Sequence, residues 1–408
     1  MIYSKKNNRC QICYSKDIKE VLDLGYMPPV NNFFSFEKVK KQELFFPTQF
    51  FNCKKCNFFQ LGCIVDKEII FPKSYPYTSS TTKILRENFK DLSKKCFSKF
   101  EITSKDLILD IGSNDGNLLS NFKDKMKVVG ITPENIGKLA IKKGIPTILD
   151  YFNSKTVGKF LKRFGKAKII TATNVFAHID KPHELTKNVK KCLTKDGIFI
   201  VEIHYATTLI KTMQYDTIYH EHMRYYSLTS LLKLLNINGL NIFDAEIIPT
   251  HGGSLRIFSS IKKIRPSANM KKILKNEKVY LMNSSIKKFI TKVYDSKFKL
   301  LHLLKKIKSK KKKICAIGAP SRASTLINFV GLDNYIISYI FEKSGSYKID
   351  KLMPGTNIPV VNENIIKKIK PDYLLILSWH ISNDLIKIFR KNGFKGKFII
   401  PLPTPKVI

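Results

Sequence analysis

The stretch "DLILDIGSNDGNLLSNF", Asp106–Phe122, decides how this chain folds. Leu107 to Ile111 is a short apolar run of the kind a fully buried strand shows, and a turn with glycine at both ends, Gly112 and Gly116, follows it. Asn117 then opens a helical pattern. A strand that passes through a glycine turn into a helix lets backbone N–H groups approach whatever lies at its carboxyl end. The spacing is G-x-x-x-G, not the G-x-G-x-x-G of a dinucleotide-binding turn.

The alternation continues outward from this unit. "KVVGITPEN", "GIPTILD", "AKIITATNVFAHI" and "KDGIFIVEIHY" supply further strands with helical stretches between them, which predicts a doubly wound parallel sheet with its ligands at the carboxyl ends of the strands. A lysine-rich helical stretch at 268–312 leads to a second strand-turn-helix unit, "KICAIGAPSRASTLINFV", and to strands at "YIISYIFE", "DYLLILSW" and "KFIIPLP". The expected organisation is therefore α/β and multidomain: a small four-cysteine domain at 1–82, a central Rossmann-like domain at 83–250 and a carboxyl-terminal α/β Rossmann-like domain at 251–408.

Composition narrows the function. Of 408 residues 43% are hydrophobic, enough for sizeable cores, and 25% are charged, so extensive disorder is excluded. The net charge of +40 invites a nucleic-acid reading, but only eight of the 72 basic residues are arginines and the lysines are scattered over every segment. The densest run, Lys305 to Lys313, reads as the solvated end of a helix between domains. No segment has the ~18 uninterrupted apolar residues of a membrane-spanning helix, and "MIYSKKNNRC" lacks the apolar core of a secretory signal. A cytoplasmic protein with reduced thiols is the expectation.

Cys10 and Cys13 form one C-x-x-C pair, and Cys53 and Cys56 form another in "FNCKKCNFFQ". Each pair presents two thiolates from a tight knuckle, and together they supply four sulfurs for tetrahedral zinc. The 39 residues between the pairs exceed the gap of a simple finger, so a small domain folds between them. With four protein ligands there is no position for water, and the ion is structural. Cys63 falls outside the spacing and belongs to the core.

The remaining chemistry concentrates in "IYHEHMRYYS", Ile218–Ser227. Two histidines flank a glutamate, with Tyr219 before and Tyr225 and Tyr226 after. On a strand, His220 and His222 share a face and would meet one ion, yet H-E-H lacks the i, i+4 geometry of H-E-x-x-H and no third ligand is evident nearby. Acid/base work suits the run better, because an imidazole with an ordinary pKa of ~6.5 is mostly neutral at working pH.

In its strand-turn-helix setting, D-I-G-S-N-D-G resembles the first motif of class I S-adenosylmethionine-dependent methyltransferases, whose loop wraps the methionine end of the cofactor. The resemblance implies cofactor contacts at Asp110, Gly112, Asn114, Gly116, Asn117, Thr132 and Asn174. Those enzymes end the second strand with an acidic residue for the ribose hydroxyls. Here Thr132 holds that place, so either its hydroxyl substitutes or Glu134 reaches back.

The likeness extends along nearly the whole chain. The two C-x-x-C pairs, "YPYTSS", "DIGSNDG", "NVFAHI", "DTIYHEHMRYYS", "HGGSLR", "GAPSRASTL" and "PGTNIPV" occur in this order, as in the family of sugar C-methyltransferases that act on nucleotide-linked 4-keto-deoxyhexoses. The resemblance implies an amino-terminal zinc-binding domain, a central methyltransferase domain, and a carboxyl-terminal domain for the nucleotide-linked keto sugar. It implies His222 as the base that removes a proton next to the ketone, with Glu221 orienting an imidazole or binding a sugar hydroxyl. Tyr219 would donate to the enolate oxygen, and His178 would face the same cleft. Tyr75 and Tyr77 would close over the substrate, and the resemblance does not say which of them points inward.

For the nucleotide handle, Gly318 and Arg322 in "GAPSRASTL" suit a diphosphate, and "HGGSLR" offers His251 and Arg256. The bland alternative is that the turn packs two elements and the arginine faces solvent. Two rival functions stand beside the main expectation: methyl transfer to oxygen or nitrogen of a small molecule, and nucleic-acid binding by a basic zinc-bearing protein.

Overall fold

The computed structural model describes residues 3–36, 43–71, 79–133 and 135–408. Tyr75, Tyr77 and Glu134 lie outside the described residues.

The strand Leu107–Ile111 is buried along its whole length and sits near the middle of a seven-stranded sheet. Its neighbours on one side are Lys127–Ile131 and Thr147–Ile148. On the other side they are Ala167–Thr173, Leu193–His204, Ser254–Ser260 and Asn241–Ile248. Ser254–Ser260 runs against both of its neighbours, while the strands from Thr147–Ile148 to Leu193–His204 are parallel. The chain winds outward from Leu107–Ile111 and then returns to Ala167–Thr173 on its other side. The carboxyl ends of these two strands therefore form a topological switch point, the usual place for a ligand.

Side-chain alternation along the strands fills both faces. Ile108, Ile169 and Ile200 pack with Phe89, Leu92 and Cys96 of the helix Lys83–Lys99, whereas Leu109, Ile111 and Val201 meet Val157, Phe160, Leu185 and Leu231 on the opposite face. Because Ser254–Ser260 completes this sheet, the central unit continues past residue 250, where the sequence reading drew its boundary.

A second, eight-stranded sheet occupies the carboxyl-terminal part, with Tyr373–Ile376, Ile314–Ile317, Ile340–Glu342 and Pro359–Asn362 in parallel at its centre. The helix Asn283–Ser309 connects the two sheets. It buries Ile286, Phe289, Val293, Ser296, Leu300, Leu304 and Ile307, one stripe at helical spacing, and ends in the exposed lysines expected there. Among the described residues no helix is long and apolar enough to cross a membrane.

The amino-terminal segment does not stand apart. Its strands Ile18–Met27, Phe46–Cys53 and Phe59–Leu61 form a sheet whose fourth strand, Arg224–Tyr225, comes from the central domain, and its strand Phe34–Ser35 caps the edge of the carboxyl-terminal sheet. One apolar cluster joins Leu22, Phe50 and Leu61 to Tyr215, Ile218 and Tyr225 and to Leu300, Ile327 and Val360. The three segments share a core.

The four cysteine sulfurs lie within 4.8 Å of one another, with Cys10 to Cys56 and Cys13 to Cys53 each 3.5 Å apart. Zinc–sulfur bonds of ~2.3 Å in a tetrahedron place sulfurs ~3.8 Å apart, so the cluster has the size and donor set of structural zinc. Cys63 is buried in the strand Cys63–Val65, outside the cluster.

Arg256 requires a correction. The sequence reading places it against substrate, but the register sets it opposite Glu202 on one side and Glu246 on the other. Its Nε donates to Glu202 at 2.6 Å, Nη1 to Glu246 at 2.7 Å and Asp91 at 3.2 Å, and Nη2 to Asn88 Oδ1 at 2.8 Å. Asn88 closes the network on Glu202 at 2.8 Å. With no exposed surface and its donors engaged, Arg256 holds the sheet and the helix Lys83–Lys99 together.

Two outcomes follow from this packing. Stripping metal with a chelator, or replacing Cys56 by serine, removes one zinc per chain by atomic absorption and lowers the melting temperature, since metal binding is folding free energy for such a domain. Arg256→Met leaves buried carboxylates without their partner and costs about 3–5 kcal/mol in denaturant unfolding. A variant of normal stability that binds substrate poorly would return Arg256 to the binding site.

Candidate active site

The turn after Leu107–Ile111 has Gly112, Asn114 and Gly116 in the left-handed region, with φ of 72°, 52° and 76°. A Cβ at Gly112 would lie 2.5 Å from Val175 Cγ2, and one at Gly116 would lie 2.9 Å from Ala140 Cβ, so both glycines permit close approach as well as the turn. Ser79 braces the turn from the other side: its N–H donates to Asn114 Oδ1 at 2.9 Å, its hydroxyl to Asp115 at 2.6 Å, and its carbonyl accepts from Asn117 at 3.3 Å. Asn174 follows the neighbouring strand, also left-handed at φ 59°, and its N–H donates to the Glu202 carbonyl at 2.7 Å. Thr132 ends the second strand and is buried.

Asp110 lies beneath this turn instead of on it. It is buried and accepts from the Thr171 hydroxyl at 2.7 Å, and burial pushes its carboxyl up to about 7 against that hydrogen bond, with Glu202 adding to the rise. It supports the turn from below.

The segment Tyr215–Tyr226 lies where the three parts of the chain meet. Leu61 N–H donates to Met223, Met223 N–H donates to Ala177 of the "NVFAHI" turn, and Thr325 Oγ1 reaches the Ile218 carbonyl. Asp216, fully buried, accepts from Arg322 Nε and Nη2 and from Trp379 Nε1, each at 2.7 Å. Glu221, also buried, accepts from Asn31 Nδ2 at 2.7 Å, and Asn31 Oδ1 accepts from Ser321 Oγ at 3.1 Å. Residues from all three parts thus fix this run.

The segment forms a turn here, not a strand, and the two histidines part. His220 Nε2 lies 3.2 Å from the Pro47 carbonyl, and its ring packs edge-on against Phe46 in the amino-terminal sheet. His222 turns toward His178, with ring centroids 5.1 Å apart, and stacks on Tyr219 at 4.3 Å. Two imidazoles pointing in different directions share no ion, so the metal reading of H-E-H falls.

The tautomers follow from the partners. His222 Nδ1 lies 3.3 Å from the Thr217 carbonyl, which can only accept, so Nδ1 carries the hydrogen and Nε2 keeps its lone pair, 3.3 Å from the Tyr219 hydroxyl. By the same logic His178 Nδ1 donates to the Glu221 carbonyl at 2.6 Å. Burial, followed by His178 and His204, holds the His222 imidazolium well below its ordinary range. Burial, followed by the charges of Glu221 and Tyr225, holds the Tyr219 hydroxyl protonated far above its ordinary range. The pair is a neutral base beside a persistent donor.

Of the other expected contacts, His251 lies near both His222 and Arg322, Arg322 is paired with Asp216, and Arg256 is engaged in the sheet. Sequence reading passed over Asp216, Asn31, His204 and His380. Asp216 and His204 stood inside quoted motifs, in "DTIYHEH" and at the end of "KDGIFIVEIHY"; nothing local marked Asn31 or His380.

Comparison with known proteins covers the same ground. Residues 249–403 match the model of a C-methyltransferase C-terminal domain, residues 81–245 that of a methyltransferase domain and residues 10–71 that of a zinc binding domain. The C-methyltransferase NovU of Streptomyces niveus is 28% identical over 410 residues, spanning 98% of this chain and 97% of that protein. Among solved structures, an S-adenosylmethionine-dependent methyltransferase from Clostridium acetobutylicum is 14% identical, with a TM-score of 0.35 over 45% of this chain and 94% of that one. Magnesium protoporphyrin IX methyltransferase from Synechocystis is 12% identical, with a TM-score of 0.33 over 43% of this chain and 78% of that one. With its four-cysteine cluster, glycine turn and matched segments in this order, the chain belongs to the S-adenosylmethionine-dependent C-methyltransferases that carry an amino-terminal zinc-binding domain.

Proposed function

We propose that the chain methylates a ring carbon next to the keto group of a nucleotide-linked deoxysugar, with His222 as the base. The observation that carries this reading is the tautomer of His222, whose Nε2 lone pair faces a hydroxyl that keeps its proton. Methylation at carbon needs an electron pair on that carbon, and an ordinary sugar C–H is too weak an acid to supply one. A neighbouring ketone lowers the barrier by placing the charge on oxygen. His222 Nε2 then takes the proton, and Tyr219 transfers its hydrogen bond to the enolate oxygen. His178 is locked by the Glu221 carbonyl and walls the same space, while Glu221, tied to Asn31, fixes the turn that aims His222. Bound at the glycine turn, S-adenosylmethionine supplies an electrophilic methyl group.

His222→Asn keeps cofactor binding, measured calorimetrically, and loses turnover by about 10²-fold or more. It also loses deuterium wash-in at the substrate carbon when cofactor is withheld. Turnover near that of the unaltered chain would remove His222 from the role.

The pH profile has a defined sign. The neutral imidazole is the active form and its folded pKa is depressed, so activity at neutral pH persists as pH falls and is lost only below 6.5. An acid limb of kcat/KM centred at or above 6.5 would mean that the titrating base is another group.

A further inference from the structure

The turn at 174–180, which follows the strand Ala167–Thr173, is joined bond by bond to the segment that bears His222. Tyr226 Oη donates to the Phe176 carbonyl at 3.3 Å, Met223 N–H to the Ala177 carbonyl at 3.0 Å, His178 Nδ1–H to the Glu221 carbonyl at 2.6 Å, and Arg224 Nη2 to the Asp180 carbonyl at 2.8 Å. Neutral groups make the first three of these bonds. A guanidinium makes the fourth.

Arg224 is only 1% exposed, and that one bond is its whole complement: among the described residues Nε and Nη1 have no partner in the protein. Across the strand pair it faces Gln60, but that amide is engaged elsewhere, Nε2 on the Arg9 carbonyl at 2.8 Å and Oε1 on the Gln11 N–H at 3.0 Å. Asp180 offers its backbone, and the residue is exposed. The other buried arginines, Arg256 and Arg322, are both bonded to carboxylates. A long apolar side chain would fill the space of Arg224 and bury no charge, so packing does not account for it.

We propose that Arg224 is a positioning residue for methyl transfer, pinning the turn at 174–180 to the His222 segment and setting an unpaired positive charge beside His178, through which it acts on His222. The proposal rests on the role of His222 given above.

His178 is the link. Its ring centroid lies 5.1 Å from that of His222, and Phe71 packs edge-on against it at 5.3 Å. Burial pushes the His178 imidazolium below its ordinary range and Arg224 adds to the push, against the Glu221 and Asn174 carbonyls, which favour the charged ring. The other titratable groups nearby do not supply a counter-charge: Glu221 turns its carboxylate to Asn31, and the Tyr226 hydroxyl is held by Phe176. A guanidinium keeps its proton at neutral pH, so the charge is permanent.

The consequence falls on His222. A charged His178 would stand one ring away from the proton that His222 takes up, and like charges so close in a buried site repel strongly. After burial, His178 is the foremost cause that opposes a charge on His222. A fixed cation that keeps His178 neutral therefore leaves one proton acceptor, His222, beside a neutral wall.

The experiment follows histidine ring nitrogens by nuclear magnetic resonance in the full-length, zinc-loaded chain without substrate, the His178 signal being the one that His178→Asn removes. In the unaltered chain that ring is neutral at pH 6.5 and above, with its hydrogen on Nδ1. Arg224→Gln keeps a donor for the Asp180 carbonyl and removes the charge. The His178 ring then titrates at higher pH and the acid limb of kcat/KM moves up with it. Turnover falls about tenfold, a fraction of what the base supplies, while calorimetric S-adenosylmethionine affinity is unchanged. Arg224→Lys keeps the charge and returns both the titration and the acid limb to those of the unaltered chain. A His178 titration that Arg224→Gln leaves in place, or that Arg224→Lys raises as far as glutamine does, overturns the proposal; if the glutamine variant fails to fold, the lysine variant decides alone. Turnover in His222→Asn discards the base and leaves the His178 titration as read, whereas an unmoved His178 signal discards Arg224 and leaves the base.

Discussion

The forked pair between Arg322 and Asp216 is the contact on which the site depends. Both partners are buried, and the fork comes from the helix Ser321–Val330 while the carboxylate belongs to the segment that presents His222. A two-point bond fixes orientation as well as distance. Arg224–Tyr225 fixes the other end of that segment by pairing with Phe59–Leu61. Between these two anchors, the run from Thr217 to Met223 takes its turn and aims one histidine into the cleft and the other out of it. Removing either partner of the pair would leave an uncompensated buried charge, so the turn that bears His222 and the carboxyl-terminal sheet are mechanically one unit.

This coupling explains why one apolar cluster runs through all three parts of the chain. A zinc-held segment of this length buries too little surface to be stable by itself. Here the four sulfurs tie its start, while Leu22, Phe50 and Leu61 contribute to the apolar cluster that also includes Tyr215 and Ile327. Tyr14 stacks on His183, and His183 hydrogen-bonds the Ile12 carbonyl at 2.8 Å, so the cysteine knuckle also docks on the helix Pro182–Cys192 of the central domain. The structural metal thus stabilises, at a distance, the surface against which the His222 segment packs.

What the sequence discloses follows from how far apart the partners are. The strand Leu107–Ile111 and its glycine turn are local, and so is each C-x-x-C knuckle. Propensity and spacing speak directly in both cases. Arg256 and Arg322 looked alike, each an arginine after a glycine turn, and only the register separates them: Glu202 lies opposite Arg256 across a strand pair, 54 residues away, while Asp216 meets Arg322 from 106 residues away. His220 and His222 also looked alike, because alternation was assumed where the backbone turns. Ser254–Ser260, which follows residue 250, joins the central sheet by running against its neighbours, a pairing that no local pattern announces.

The electrostatics of the cleft leave a tension that its ligand would resolve. A base works best with a pKa near the operating pH, yet burial and the neighbouring imidazoles depress His222 well below that range in the free protein. Burial is the main cause of the depression, and the imidazoles of His178, His204 and His251 add to it while the Thr217 carbonyl opposes it. In the proposed reaction, proton removal from the substrate places an imidazolium beside a new enolate, and in a site shielded from water that pair attracts far more strongly than it would in bulk solvent. The same desolvation that makes His222 a weak base at rest therefore makes its protonated form most stable when the enolate exists. Stabilisation confined to the reacting state raises turnover without tightening ground-state binding.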